Sequence, residues 1–139
     1  MTLVIAAQDI KGISFGLIRD GALVSEVEAA GEPDRYLALL DATLKLWHVG
    51  PTDLTQVAVV TGPGAFTASR ISTTIANAIA FSRRIPLVAV ANPGRKSLEQ
   101  LIVSDEFRSA TPVEGFAVPV YDRPPHITLP KGKPLANSL

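Results

Sequence analysis

The residues best suited to chemistry lie in one stretch. The apolar run Val57-Ala58-Val59-Val60 leads through Thr61 into Gly62-Pro63-Gly64-Ala65-Phe66-Thr67-Ala68-Ser69-Arg70-Ile71. A strand, a Gly-Pro-Gly loop and a helix start, in that order, aim backbone N–H groups at whatever sits above the helix, an arrangement that suits an anion such as phosphate. No lysine follows the glycines, so this is not a Walker loop, and Thr67 stands where a dinucleotide fingerprint needs its third glycine. A type II turn centred on Pro63 and Gly64, with Thr67 as the helix N-cap, accounts for most of these residues without any ligand. Arg70 is the exception. A cation in the first helical turn faces the positive end of the helix dipole, at a cost of roughly 0.3–1 kcal/mol unless a carboxylate or an external anion offsets it.

Other chemistries lack their residues. There is no cysteine, which removes disulfides, thiol nucleophiles and thiolate metal sites. The two histidines, His48 and His126, cannot form the short-spaced helical pair of a zinc peptidase. Thirteen basic residues balance thirteen acidic ones, which argues against a general polyanion binder, leaves room for a local patch and tolerates association. The 139 residues fit one domain, and 47% apolar content supplies a core readily. No secretory signal opens the sequence and no apolar run nears the roughly 20 residues of a membrane span, so a cytoplasmic protein is expected.

The elements that must position this stretch follow from pattern. Residues 2–7 form a continuous apolar run, a strand buried on both faces. Residues 13–19 and 22–29 make a hairpin around Asp20-Gly21, which supplies the positive φ of a tight turn. Asp34 is placed to cap a helix over 35–48, stopped by Gly50-Pro51. Its large apolar residues span about half the circumference, wider than the roughly 100° stripe a surface helix buries. A strand over 56–60 and a helix over 67–83 follow, the helix with Ile71, Ile75, Ala78 and Ile79 on one side and small residues on the other. Its Arg83-Arg84 end complements the helix dipole. A strand over 86–91 comes next. Leu98, Leu101 and Ile102 suit a short helix within 96–107, and 116–120 suits a strand. Six of the eleven prolines fall after residue 111, and beyond Asp122 a poorly packed tail is expected. Strand–strand–strand–helix–strand–helix–strand is the order of an α/β, ribonuclease H-like lobe, a mixed sheet with an antiparallel meander and crossover helices. The expected division is a lobe over 1–92 and a reduced remnant with a Pro-rich tail over 93–139.

The stretch Gly62-Pro63-Gly64-Ala65-Phe66-Thr67-Ala68-Ser69-Arg70-Ile71 resembles the Gly-Pro-Gly-Ser-Phe-Thr-Gly-Leu-Arg-Ile signature of the TsaB (YeaZ) family. Ser14-Phe15-Gly16-Leu17, Arg83-Arg84-Ile85-Pro86-Leu87-Val88-Ala89-Val90 and Val118-Pro119-Val120-Tyr121 resemble that family in order and spacing. The likeness covers residues 3–92 well and the remainder thinly. The resemblance implies the actin-like ATPase fold and a role in forming threonylcarbamoyladenosine at position 37 of tRNA. It implies a scaffold rather than an enzyme, a pseudoenzyme that supports a TsaD-type transferase as its heterodimeric partner. A TsaE-type ATPase would be a further partner and a homodimer an alternative, with tRNA met only through the complex. No cofactor would be required, and ATP or ADP would bind only at a partner interface. The family's Ile-Asp-Thr at the end of the first strand is Ala6-Ala7-Gln8 here, so the carboxylate that helps place metal and phosphate in actin-like ATPases is replaced by Ala7. Much of the family's second lobe is missing between Pro93 and Phe116.

A helix-on-helix interface of that kind needs an apolar stripe and a close-packing face. Tyr36, Leu40, Thr43 and Trp47 are the expected stripe, and Thr73, Ala76 and Ala80 the opposing small face; the core is the alternative place for both. The signature residues Gly62, Pro63, Gly64, Phe66, Thr67 and Arg70 are the expected anion contact, and no catalytic or metal-ligating residue is assigned. A stand-alone phosphate- or nucleotide-binding pseudoenzyme and a self-associating structural domain are the competing readings.

Overall fold

The computed structural model describes residues 1–121, so the tail beyond Asp122, with His126, lies outside the described residues. Five strands form one mixed sheet: β1 (Thr2–Ala6), β2 (Gly12–Arg19), β3 (Ala22–Ala30), β4 (Gln56–Gly62) and β5 (Leu87–Ala91), in the spatial order β3-β2-β1-β4-β5. β1 to β3 form the expected antiparallel meander, while β4 and β5 run parallel to β1. Asp20 (φ 53°) and Gly21 (φ 79°) make the left-handed pair that closes the β2–β3 hairpin. The helices are α1 (Tyr36–Leu46), α2 (Phe66–Arg83), α3 (Leu98–Ile102) and α4 (Asp105–Arg108).

Strand alternation divides the core between two faces. Leu3, Ile5, Phe15, Val57 and Val59 pack with Tyr36 and Leu40 of α1 and with Ala68, Ala76 and Ala80 of α2. Val4, Ala58, Val60, Val88 and Val90 point the other way, onto Leu98 and Leu101 of α3. β1 and β4 are therefore covered on both sides, as their unbroken apolar runs require. The proposed boundary at residue 92 does not coincide with a break in packing, because α3 closes the second face of the same sheet.

α1 starts one residue later than expected, with a different cap. Residues Pro33–Arg35 form a 3-10 turn, Arg35 takes the N-cap position, and no side chain caps the helix; Asp34 lies inside the turn. The helix ends at the Trp47 C-cap, followed by His48 in a left-handed conformation (φ 56°). It buries a narrow i, i+4, i+7 stripe of Tyr36, Leu40 and Thr43, and turns Leu37 and Leu46 outward, 64% and 68% exposed.

α2 reverses the expected orientation. Its sheet-facing side consists of Ala68, Ser69, Ser72, Thr73, Ala76 and Ala80, whereas Ile71, Ile75 and Ile79 sit half-buried on the flank and Ala78 is exposed. Small side chains let the helix backbone approach the sheet closely, which branched isoleucines would hold away. Residues 96–107 hold two short helices, capped separately by Ser97 and Ser104. The expected strand over 116–120 is an extended strap instead, with single bridges at Pro112 to Val88 and Tyr121 to Gly64. Pro112 and Pro119 lack the N–H groups a ladder needs. Val113 N–H to Leu87 O (2.8 Å), Val120 N–H to Thr61 O (2.8 Å) and two bonds between the Asn77 carboxamide and the Ala117 backbone tether the strap.

Candidate functional site

The C-terminal ends of β1, β4 and β5 bring three turns together, the place where open α/β sheets commonly bind ligands. Gln8, just past β1, is the hub. Its Nε2 donates to Pro63 O and to Asn92 O, both at 2.8 Å. Asn92 follows β5, and its Nδ2 returns a bond to Gln8 Oε1 (3.0 Å) and gives another to Lys96 O (2.9 Å), while its Oδ1 accepts from Lys96 N–H (3.0 Å). Backbone bonds complete the joint: Ala65 N–H to Gln8 O (2.9 Å) and Asn92 N–H to Gly62 O (2.7 Å). Asn92 is buried with all its polar atoms satisfied, as a buried carboxamide must be.

A cavity of about 650 Å³ opens beside this joint, lined among others by Gln8, Asp9, Lys11, Glu28, Asn92, Arg95 and Lys96. Its charges are mixed, and Lys96 is partly answered from α4. The Glu106 carboxyl is held below its usual range, first by its own backbone N–H and then by the charge of Lys96.

The resemblance implies a carboxylate at the end of β1 that helps place metal and phosphate, and the residues here do not fit such a group. Ala7, buried, offers a methyl where a carboxylate would be required, and the Gln8 carboxamide is committed to Pro63 and Asn92. No group of three or more His, Cys, Asp or Glu side chains gathers among the described residues.

The signature loop differs from its expected geometry. Gly64 does not adopt positive φ, so the type II turn is absent; Gly62 carries the unusual backbone (φ 132°), and the Gly62–Pro63 peptide is cis. Ala65, not Thr67, is the N-cap of α2, with no side-chain cap bond, and Thr67 is an exposed first-turn residue. The Ala65 N–H, expected to face an anion, is spent inward on Gln8 O. Gly64 is required for close approach, because a Cβ there would lie 2.6 Å from Gln8 O and 2.8 Å from Ser69 Oγ. Arg70 meets no carboxylate among the described residues. Its Cζ lies 5.5 Å from the Phe66 ring centroid, and that ring packs 4.7 Å from Tyr121. A cation–π contact worth about 0.5–1 kcal/mol at an exposed site matches the dipole cost that the sequence raised.

The expected interface residues are core. Tyr36, Leu40 and Thr43 are 0%, 3% and 4% exposed, and Thr73, Ala76 and Ala80 are 1%, 0% and 8%. Trp47 is half-buried against the same cluster. Each helix turns these residues toward the sheet because their removal from water, at roughly 25 cal/mol per Å² of apolar surface, stabilises the lobe itself. Outside, α1 presents Leu37 and Leu46, and α2 presents Phe81, which is 75% exposed. Sequence reasoning missed Gln8, Asn92 and Asn77. A carboxamide immediately after an apolar strand was the available signal for the first two.

A three-stranded meander continued by parallel strands through crossover helices defines a ribonuclease H-like lobe of the actin-like ATPase type. The family model for TsaD, tRNA N6-adenosine threonylcarbamoyltransferase, matches residues 32–112, more than half of the chain. The chain belongs to that family, and within it is TsaB/YeaZ-like. It is 27% identical over 125 residues to the tRNA threonylcarbamoyladenosine biosynthesis protein TsaB of Bacillus subtilis, covering 86% of this chain and 50% of that protein. It is 39% identical over 72 residues to the tRNA N6-adenosine threonylcarbamoyltransferase of Lacticaseibacillus casei, covering 52% of this chain and 21% of the transferase. YeaZ from Pseudomonas aeruginosa superposes with a TM-score of 0.58 at 23% identity, over 66% of this chain and 43% of that one, a likeness of fold. The chain thus spans half or less of the length of these relatives. No helix among the described residues is long and apolar enough to cross a membrane.

Proposed function

We propose that this chain is a non-catalytic partner subunit in the formation of N6-threonylcarbamoyladenosine at position 37 of tRNA, one that binds and activates a TsaD-type transferase. The observation that carries this reading is the strand-end joint, where the Gln8 and Asn92 carboxamides fasten three turns together and Ala7 stands in the carboxylate's place. Those groups hold backbone; they supply neither a nucleophile nor a general acid or base. Support also comes from the two named relatives, one a TsaB protein and one a transferase of the same modification. The outward residues Leu37, Leu46 and Phe81 offer apolar contact to a helical partner. In this reading a TsaE-type ATPase is a further partner, ATP or ADP binds only at a partner interface, tRNA is reached through the complex, and the complex is cytoplasmic.

The test is co-expression of the tagged chain with the TsaD-type transferase of the same genome. A stoichiometric complex is expected, with no transferase activity from the isolated chain. A folded chain that fails to retain the transferase overturns the reading.

A further inference from the structure

We infer that the sheet face turned away from α1 and α2 carries a binding site for a small monocarboxylate with an apolar body. The site lies between the first residues of β1 and β4 and the short helix α4. It stands apart from the proposed partner role, since neither α1 nor α2 lines it.

Strand register builds the floor. Ile18, Thr2 and Gln56 are cross-strand partners on β2, β1 and β4, and two residues beyond Gln56 lie Ala58 and its partner Val88 on β5. Alternation puts all five on one face. The cover over that face stops short of the strand starts, because α3 and α4 are only five and four residues long. A cavity of about 600 Å³ remains between this floor and a wall of Ile102, Phe107, Arg108 and Ala110. Its volume falls in the range of small-molecule sites.

The polar groups stand at the rim and the apolar ones beneath. Ala58 and Val88 are buried, and Ile18 and Phe107 are half-buried. Thr2 Oγ1 donates to Gln56 Oε1 at 3.1 Å, which leaves Gln56 Nε2 without a protein acceptor among the described residues. Arg108 is exposed, and among the described residues its guanidinium has neither an ion pair nor a hydrogen bond. Even Asp105 and Glu106, its neighbours on α4, make no ion pair with it. Among the described residues no aspartate or glutamate lines the cavity, and Arg108 is its one charge.

That inventory selects a ligand class. A lone guanidinium matches a planar carboxylate through two parallel N–H···O bonds, and the Gln56 amide offers one donor more. The floor takes up hydrocarbon that water would otherwise have to surround. A multiply charged anion would hold unmatched charge over an apolar surface, and a neutral ligand would leave the guanidinium unanswered.

The experiment titrates the full, ¹⁵N-labelled chain with 3-phenylpropionate and follows the backbone amide shifts by NMR. Saturable binding at about 1 mM or tighter is expected for a ligand of about eleven heavy atoms. The largest shifts are expected at Ile18, Ala58 and Val88 and from Phe107 to Ala110. The uncharged isostere 3-phenylpropionamide is expected to bind at least about tenfold more weakly. The same loss is expected for 3-phenylpropionate on Arg108→Gln, an exposed substitution whose spectrum should otherwise stay native. Inorganic phosphate is expected not to saturate by about 10 mM. A short peptide ending in phenylalanine with a free carboxylate separates the two sources of this chemistry. Tighter binding of the peptide supports a chain terminus as occupant, and tighter binding of the free acid supports a small metabolite. Failure of both to saturate by about 10 mM overturns the inference. So does equal affinity for the amide, equal affinity on Arg108→Gln, or a shift pattern centred on Gln8 and Asn92.

Discussion

Gln8 and Asn92, 84 residues apart in sequence, exchange bonds in both directions: Gln8 Nε2 donates to Asn92 O at 2.8 Å, and Asn92 Nδ2 donates to Gln8 Oε1 at 3.0 Å. Between them they hold the ends of β1 and β5 and, through Pro63 O, the turn after β4. Asn92→Ala removes three side-chain bonds at a buried position and is expected to lower stability by about 2–4 kcal/mol in urea denaturation. Asn92→Asp keeps the shape but turns an oxygen toward Gln8 Oε1 and Lys96 O, so it is expected to be at least as damaging at neutral pH and to recover as the solution is acidified. A double-mutant cycle with Gln8→Ala is expected to show coupling of about 1 kcal/mol. Additive effects would mean that the two carboxamides act independently.

Gly64 and Gly94 flank the same joint but meet different surroundings. A Cβ at Gly64 would strike Gln8 and Ser69, whereas at Gly94 the nearest atom is the Lys96 side chain at 3.9 Å. Gly64→Ala is expected to cost about 2–3 kcal/mol, and Gly94→Ala to be neutral or stabilising by up to about 1 kcal/mol. Paired thermal melts check this, and equal shifts would contradict the packing of the loop against β1.

Tyr36 gives the fold an alkaline limit. Burial, and next the negative charge of Asp9, push its phenol from 10.0 up to about 12. Its hydroxyl donates to the backbone oxygens of Asp9 (3.2 Å) and Gly12 (3.3 Å). Below pH 10 the phenol is neutral in folded and unfolded chains alike, and its contribution is complete. Between pH 10 and 12 the unfolded chain releases the proton first, which draws the equilibrium toward unfolding. Tyr36→Phe is expected to lose about 1 kcal/mol at neutral pH and to show a shallower decline from pH 10 to 12. Parallel declines for the two proteins would remove Tyr36 as the cause.

The two sides of α2 should respond oppositely to substitution. Ala76 is fully buried, and Ala76→Leu forces extra volume under the helix at an expected cost of about 1–3 kcal/mol or more. Phe81 is mostly exposed, and Phe81→Ser is expected to change stability by less than about 0.5 kcal/mol while weakening capture of the transferase. A destabilised Phe81→Ser protein would show that the residue serves the fold.

The sheet was legible because its strands carry unambiguous local signals: the Asp20-Gly21 turn, and apolar runs too dense for a half-wet strand. Helix orientation was not. In α2 the eye goes to Ile71, Ile75 and Ile79, yet the sheet takes Ala68, Ser72 and Ala76, because closeness of approach outweighs the size of individual side chains. In α1 the wide apolar surface was visible, but not that Tyr36, Leu40 and Thr43 would turn inward and leave Leu37 and Leu46 outside. Arg70 was recognised as needing a counterpart; that this is the ring of Phe66, four residues earlier, is ordinary helix geometry that charge-based reasoning passed over. The Gln8–Asn92 joint depends on the return of distant chain segments; its one local mark, a carboxamide after an apolar strand, does not say that the two would pair.

The strap carries a consequence for synthesis. Its bonds from Asn77 to Ala117 and from Val120 to Thr61 link a late segment to elements made some forty to sixty residues before. While the chain emerges from a ribosome, the meander and the first crossover can assemble, but the flank of α2 and the tip of β4 stay bare until residue 120 has cleared the tunnel. A nascent chain paused short of that residue would offer its half-finished side to chaperones, and release of the last segment would withdraw it.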